Sequence, residues 1–283
     1  MTARKPDWLR VRIPAGSGYK EVRGILEKYN LNTVCDEAIC PNRGKCFHAG
    51  TATFMILGKN CTRNCRFCNV TGAEPETVNP EEPLNVASAV KELDLKYVVI
   101  TSVTRDDLPD GGAKHFSDTV NEIRRLNPET RIELLIPDFQ GITDALQAVV
   151  DTNPDVIGHN IETIPSLYDK VRPQADYVQS LKVLSNTRKL GYKGKTKSGI
   201  MVGLGESETE VIEVFRDLRN HGCQFLTVGQ YLAPSKLHVP VAEYVHPDLF
   251  EKYKKTALEM GFEFVASAPL VRSSYMAHEA FEK

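Results

Sequence analysis

The chain has 283 residues, 41% of them hydrophobic and 25% charged, enough for a sizeable core in one large domain or two ordinary ones. Its formal net charge of −2 gives no basis for a nucleic-acid or membrane partner. No run of about 18 apolar residues is present to cross a bilayer, and Met1 to Pro14 reads neither as a signal peptide nor as a transit peptide.

The N-terminal segment carries the one tryptophan, Trp8, as a packing anchor, and is interrupted by Pro14 and Gly16. A helix is expected over about residues 19–30, with Val22, Ile25, Leu26 and Tyr29 on one face. Cys35, Cys40 and Cys46 follow, with gaps of four and five residues that are not those of a zinc ribbon. Three thiolates can serve three irons of a cluster that takes its fourth ligand from elsewhere. The alternative is a structural zinc site completed by His48.

Thr53 to Gly58 is a short apolar run ending in glycine, the pattern of a buried strand. Asn60 to Val70 then places Cys61, Cys65 and Cys68 within eight residues. Three cysteines leave one iron of a four-iron cluster without a thiolate, and an open position is where a metal centre does chemistry. A zinc knuckle or a structural cluster is the bland alternative. A lone CxxC would favour it; this spacing, with Phe67 before the last cysteine, does not. The seven cysteines thus form two tight groups plus Cys223, read as a free buried thiol. With no secretory signal, such clustering points to metal or catalysis in a reducing, cytoplasmic setting.

Further strand-like runs are Tyr97 to Val103, Ile132 to Ile136, Val156 to Ile161, Ser198 to Val202 and Phe225 to Gly229. Helical patterns separate them. Residues 84–95 align Val86, Ala89, Val90 and Leu93. Residues 208–220 align Val211, Val214, Phe215 and Leu218 behind a capping box of Ser207 and Glu210. Six strands alternating with helices predict an α/β fold, a partial (β/α)6 TIM-like barrel open at one side. Residues 248–260 read as a last helix and Glu263 to Ala266 as a terminal strand. Pro269 to His278 has no periodicity of its own. The organisation expected is an N-terminal cluster-binding extension (1–50), the barrel (51–245) and a short C-terminal extension (246–283).

In a parallel βα barrel, active groups gather at the carboxyl ends of the strands. Here those ends carry the three cysteines; Arg105, Asp106, Asp107 and Gly111-Gly112; Pro137, Asp138 and Phe139; His159, Asn160 and Glu162; Gly203 to Glu206; and Gln230-Tyr231. Each alone has a bland reading. Arg105 to Asp107 could be a solvated turn with local ion pairs, and His159 a satisfied core histidine. Asn160 and Glu162 alternate with Ile161 and would share one side of the strand, placed to receive a cofactor's ammonium or ribose hydroxyls. Lys197 lies just before a strand, and as a lysine is expected at the surface.

Cys61-x3-Cys65-x-Phe67-Cys68 resembles the signature of the radical S-adenosylmethionine (SAM) enzymes. More specifically, three features resemble the lipoyl synthase family: Cys35-x4-Cys40-Pro-Asn-x3-Cys46, the segment from Ala52 through Cys68, and Arg272-Ser273-Ser274-Tyr275. Blocks at Arg105–Gly112, His159–Thr163, Lys197–Met201 and Thr227–Tyr231 extend the likeness from about Lys5 to Ala277. The resemblance implies that Cys61, Cys65 and Cys68 hold a SAM-cleaving [4Fe–4S] cluster. It implies that Cys35, Cys40 and Cys46 hold an auxiliary [4Fe–4S] cluster, with Ser274 as fourth ligand and Ser273 as the alternative. Phe67, Asn160, Glu162 and Lys197 would contact SAM. The chemistry implied is insertion of two sulfur atoms at C6 and C8 of a protein-bound octanoyl group, with the auxiliary cluster as sulfur donor. The implied partners are octanoylated carriers, namely 2-oxoacid dehydrogenase E2 subunits and the glycine-cleavage H protein, and a flavodoxin or ferredoxin reductant. The protein itself is expected to be a monomer. Ala268 and Met276 depart from the family pattern, which favours Gly and His there. The alternatives are a radical SAM methylthiotransferase, for which no basic RNA-binding module is visible, and an iron–sulfur electron carrier, which needs far less chain.

Overall fold

The computed structural model describes residues 4–11, 17–48 and 52–281. The interruption expected at Pro14 and Gly16 lies outside the described residues. Seven parallel strands run in sequential order: β2 (Thr53–Ile56), β3 (Tyr97–Ser102), β4 (Arg131–Leu135), β5 (Val156–Gly158), β6 (Lys195–Val202), β7 (Phe225–Gln230) and β8 (Phe264–Ser267). A two-residue strand, β1 (Asn32–Thr33), pairs antiparallel with β2. Among the described residues β1 and β8 do not pair, so the barrel stays open on that side. The expected six-strand array is present, and β8 extends it.

Helices fill the crossovers because each carries one apolar stripe against the sheet. Val22, Ile25 and Leu26 are buried on α1 (Ser17–Lys28). The short helices α2 (Val34–Glu37) and α3 (Arg43–His48) carry Cys35 and Cys46. Val86, Ala89 and Val90 face inward from α4 (Glu82–Glu92). Then come α5 (Ala113–Leu126), α6 (Thr143–Asp151), α7 (Tyr168–Val171) and α8 (Tyr177–Lys189). The capping box forms as predicted at α9 (Glu208–Asn220): Ser207 Oγ accepts the Glu210 amide, and the Glu210 carboxylate accepts the Ser207 amide. The last helix, α10 (Pro247–Glu259), precedes β8.

Two strand expectations are corrected. β5 stops at Gly158, so Asn160 and Glu162 lie beyond it, and Glu162 takes a left-handed φ of 65°. Backbone bonds Glu162 N to Gly199 O and Met201 N to Glu162 O bend the chain onto β6 instead. Lys197 is not a surface lysine before a strand. It sits inside β6, 2% exposed, with Nζ 2.7 and 3.0 Å from the Glu133 carboxylate. Tyr97 donates to the same carboxylate at 2.5 Å. A lysine faces the interior only because this ion pair and hydroxyl satisfy its charge.

The C-terminal segment crosses from β8 toward β2, over the open side. Asn42 Nδ2 donates to Leu270 O at 2.7 Å, and Lys45 Nζ to the Tyr275 hydroxyl at 2.7 Å. A 3-10 turn, Ala277–Phe281, then places the Phe281 ring against Tyr97 and Phe225, each with centroids 5.9 Å away. Both partners stand at the amino ends of their strands, so this ring stoppers the barrel floor.

Candidate functional site

The loop after β2 is built to hold three thiols still. Leu57 leaves the strand in the left-handed region (φ 69°), its amide held by the buried Glu82 carboxylate and its carbonyl by Arg105. Cys61 N–H donates to Thr71 O, and Thr62 N–H to Thr104 O. Arg63 is the central clamp. Its Nε and Nη2 grip Asp106 at 2.7 and 2.9 Å, while Nη1 and Nη2 grip Asp138 at 2.8 and 2.7 Å. This forked pairing ties the cysteine loop to the ends of β3 and β4. The Arg105 to Asp107 segment does form a local ion pair with the exposed Asp107, but Arg105 itself is buried and also reaches the Leu57 carbonyl, and Asp106 is gripped by Arg63.

Backbone amides point at the sulfurs. Arg63 N–H and Thr104 N–H approach Cys61 Sγ at 3.4 and 3.3 Å, and Val70 N–H approaches Cys68 Sγ at 3.4 Å. Such donors stabilise thiolate sulfur. Burial pushes the Cys68 thiol up to about 12, and it also raises Cys65 against the Arg172 charge. These thiols become thiolates when a cation binds them.

The other cysteine group packs alongside. Burial pushes Cys35 up to about 12 as well. Cys40 N–H bonds to Cys35 O, and Cys46 N–H to Asn42 O, which ties Cys40, in the turn between the two short helices, to the helices that carry Cys35 and Cys46. Asn69 Nδ2 donates to Glu37 O at 2.7 Å, joining the two cysteine segments. Thr53 Oγ1 donates to Ser274 Oγ at 2.7 Å. The Thr53 backbone also meets the Cys35 thiol. Ser274 thereby sits beside the Cys35 group, while Ser273 Oγ turns away to Asn160 Oδ1 at 3.0 Å.

One cavity of about 1190 Å3 connects these parts. Its walls include all six clustered cysteines, Phe67, Asn160, Glu162, Ser273 and Ser274. Lys197 is not among them, and its ammonium is held by Glu133. Asn160 Nδ2 donates to Glu162 Oε1 at 3.0 Å, and burial raises the Glu162 carboxyl against Arg172 and Asn160. His159 Nδ1 bonds to Ile136 O at 2.9 Å, which leaves Nε2 a buried lone pair without a partner. Burial, helped by the Arg172 charge, brings its pKa down to about 4, so the ring is neutral.

Among the described residues no three His, Cys, Asp or Glu side chains converge on a single ion's position. A zinc site completed by His48 needs that convergence; a cluster does not, because each cysteine binds its own iron. The thiol sets, their N–H donors and the unpartnered polar atoms around one cavity fit a cluster with a bound small molecule. Cys223 lies apart, fully buried, with Sγ on Phe225 O. Arg63 and Arg172 were not singled out from sequence. Arg63 stood inside the motif unremarked, and Arg172 follows Val171 in a stretch with no signal of its own.

The chain is similar to known proteins along most of its length. Residues 55–218 match the Radical SAM superfamily, and residues 1–40 match the N-terminal domain of lipoyl synthase of that family. A lipoyl synthase of Alkaliphilus metalliredigens is 60% identical over 99% of this chain and 97% of its own length. One from Caldicellulosiruptor saccharolyticus is 55% identical over 99% and 98%. Among solved structures, methylornithine synthase aligns with a TM-score of 0.55 at 14% identity, over 90% of this chain and 84% of that one. Streptococcus suis SuiB bound to S-adenosylmethionine aligns at 0.60 and 12%, over 80% and 54%. These two share the fold.

Proposed function

This chain belongs to the lipoyl synthase family of the radical SAM superfamily, and on that premise we propose how its cavity inserts two sulfur atoms into a protein-bound octanoyl group. Cys61, Cys65 and Cys68 would hold the SAM-cleaving [4Fe–4S] cluster. Cys35, Cys40 and Cys46 would hold an auxiliary cluster with the Ser274 hydroxyl as fourth ligand. When bound, the first group supplies a 5′-deoxyadenosyl radical from SAM and the second supplies sulfur.

The observation that carries this reading is the junction of the two cysteine groups. Both line one cavity, and Ser274 is bonded to Thr53 beside Cys35. An unactivated alkyl C–H has no acidic proton, so neither neutral His159 nor Glu162 is asked to act as a base. The residues instead bind and exclude water. Asn160 and Glu162 offer polar groups for the ammonium or ribose of SAM, and Phe67 packs against the apolar cluster of Leu204 and Tyr231. As the oxygen donor among three thiols, the Ser274 hydroxyl would be the weakest-held ligand of such a cluster.

The acceptors in this reading are octanoylated E2 subunits of 2-oxoacid dehydrogenases and the glycine-cleavage H protein. Flavodoxin or ferredoxin supplies electrons, and the setting is the cytoplasm. Among the described residues no helix is long and apolar enough to cross a membrane.

The test is anaerobic incubation of reconstituted protein with SAM, dithionite and an octanoyl-lysyl peptide, read by mass spectrometry. Two added sulfurs with 5′-deoxyadenosine formed are expected. SAM cleavage with an untouched peptide would move the search to other acceptors. No SAM cleavage by protein with verified, reducible clusters would overturn the reading.

A further inference from the structure

Between β2 and the Cys61 loop the chain takes two left-handed residues in a row, Leu57 at φ 69° and Gly58 at φ 88°. Glycine adopts such a backbone freely; leucine does so at a cost, and only where its surroundings impose it. Leu57 is gripped from three directions. Its N–H donates to Glu82 Oε2 at 2.8 Å, and His115 Nε2 lies 2.7 Å from the same oxygen. Its C=O accepts from Arg105 Nη1 at 3.3 Å. Its side chain fills the space that Gly112 leaves open: a Cβ at Gly112 would stand 2.4 Å from Leu57 Cδ1.

Glu82 opens α4 and His115 lies in the first turn of α5, so both stand at the end of the barrel where the strands finish and the cysteines lie. Both are buried. Leu57, Glu82, Arg105, Gly112 and His115 are all absent from the cavity wall. A carboxylate and an imidazole are costly to keep from water, and here they are not spent on a molecule in the cavity. They are spent on the peptide that aims the loop, since Cys61 follows Gly58 by three residues. The bare backbone at Gly112 is likewise explained by the Leu57 side chain and not by the approach of a cofactor. Arg63 grips the loop beyond Cys61 and Glu82 grips it before, so the two bracket that thiol.

We propose that Glu82, braced by His115, is a positioning residue for the SAM-cleaving cluster: it holds the bend at Leu57 and Gly58 and so fixes where Cys61 presents its sulfur. The inference rests on the assignment of that cluster to Cys61, Cys65 and Cys68. Groups that orient a metal's ligands from behind set its affinity and chemistry without touching it. Glu82 acts through the Leu57 N–H and takes no part in electron or hydrogen transfer.

The test has two arms, both on the full chain. In metal-free, reduced protein, Glu82→Ala is expected to speed amide exchange over residues 57–64 by about tenfold, with β6 and β7 unchanged. In reconstituted protein the same variant is expected to weaken SAM binding by about tenfold, read from the SAM-sensitive paramagnetic signal of the reduced cluster, with the auxiliary signal at the parental level. Glu82→Gln keeps an acceptor for the Leu57 N–H and should stay within about threefold of the parent in both arms; a Gln variant as impaired as the Ala variant would overturn the hydrogen-bond account. Parental exchange over residues 57–64 in Glu82→Ala would overturn the proposal. So would faster exchange spread evenly over α4, α5 and β3 with a parental SAM-sensitive signal, which is what a purely structural role predicts. If Glu82→Ala does not fold, Gly112→Ala makes the comparison by pushing on Leu57 from the other side, and adding Leu57→Ala should restore most of the SAM affinity it loses. No restoration would overturn the proposal, by assigning the bare Gly112 backbone to the cofactor. A parent protein that binds iron yet gives no SAM-sensitive signal would bring down the cluster assignment and this proposal with it, while the metal-free arm would still report the bend.

Discussion

Replacing Arg63 with methionine should cost both stability and iron, and the size follows from its partners. Burial pushes the Asp138 carboxyl up, yet the Arg63 hydrogen bonds and charge override it and hold it at about 2, against an ordinary 3.8. At ~1.4 kcal/mol per unit, that difference alone represents about 2 kcal/mol. Removing the arginine also strands a side chain only 4% exposed, and breaking a buried pair in this way costs about 3–5 kcal/mol. Asp106 is 27% exposed, so water recovers most of its share. We expect a loss of about 3 kcal/mol in urea unfolding of the metal-free, reduced protein. Iron content should fall toward about half, because the loop carrying Cys61 and Cys65 is anchored by this side chain and the auxiliary set is not. Arg63→Lys, a point charge without a fork, should recover part of the stability. The double variant Arg63→Met/Asp138→Asn should lose less than the sum of the single ones. A loss under about 1 kcal/mol in Arg63→Met with parental iron would refute the clamp.

Other outcomes follow from the same geometry. Lys197→Met should destabilise by about 3 kcal/mol by stranding Glu133, while SAM affinity, read by equilibrium binding, stays at the parental value; a large loss of SAM affinity in a stable variant would return Lys197 to the cofactor site. Ser274→Ala should keep 5′-deoxyadenosine formation and lose most sulfur transfer, whereas Ser273→Ala, which removes a bond to Asn160, should mainly raise the KM for SAM. The reverse pattern would exchange the two serines. Asp138 also predicts an acid-side dependence. Its folded pKa lies below the unfolded one, so its contribution is whole above about pH 5 and is lost as pH falls through about 4 toward 2. The urea midpoint of the parent should drop across that window, and Arg63→Met should show a smaller drop from this carboxyl.

What could be read from sequence was local. The capping box at Ser207 and Glu210, the stripe of Val86, Ala89 and Val90, and the apolar runs of β2 and β3 each state their structure within a few residues, and the structure agrees. The cysteine spacing was legible for the same reason: its chemistry lies within one loop. Lys197 was misread because its partner, Glu133, is on another strand, and nothing near residue 197 announces a buried counter-charge. Asn160 and Glu162 do meet, but through a left-handed turn at Glu162 rather than strand alternation. Arg172 was invisible because its neighbours in sequence say nothing about the Asn160 and Ile161 carbonyls that it meets in space.

The C-terminal segment shows how far such hidden partnerships reach. Pro269 to His278 has no periodicity, because its order comes from contacts with other elements. Leu270 is held from Asn42, Ser273 by Asn160, Ser274 by Thr53 and Tyr275 by Lys45. Val271 and Ala277 are buried along it, and at the far end Phe281 meets Tyr97, Phe225 and the Arg131 guanidinium, the last 4.4 Å from its ring centre. Aromatic pairs contribute about 0.5–1.5 kcal/mol each and a cation over a ring about 0.5–1, so Phe281→Ala should loosen the tail by roughly 2 kcal/mol without touching either cysteine group. The hydrogen bonds that hold Ser273 and Ser274 are few and half-exposed, and they do not make up that loss. Amide exchange across residues 271–277 should then speed up by about tenfold or more, with exchange in β3 and β4 unchanged. Iron should leave the Cys35 group faster on chelation than it leaves the Cys61 group. Parental exchange rates in that stretch would mean that Thr53 and Asn42 hold the serines on their own, and that the floor stopper serves only the floor.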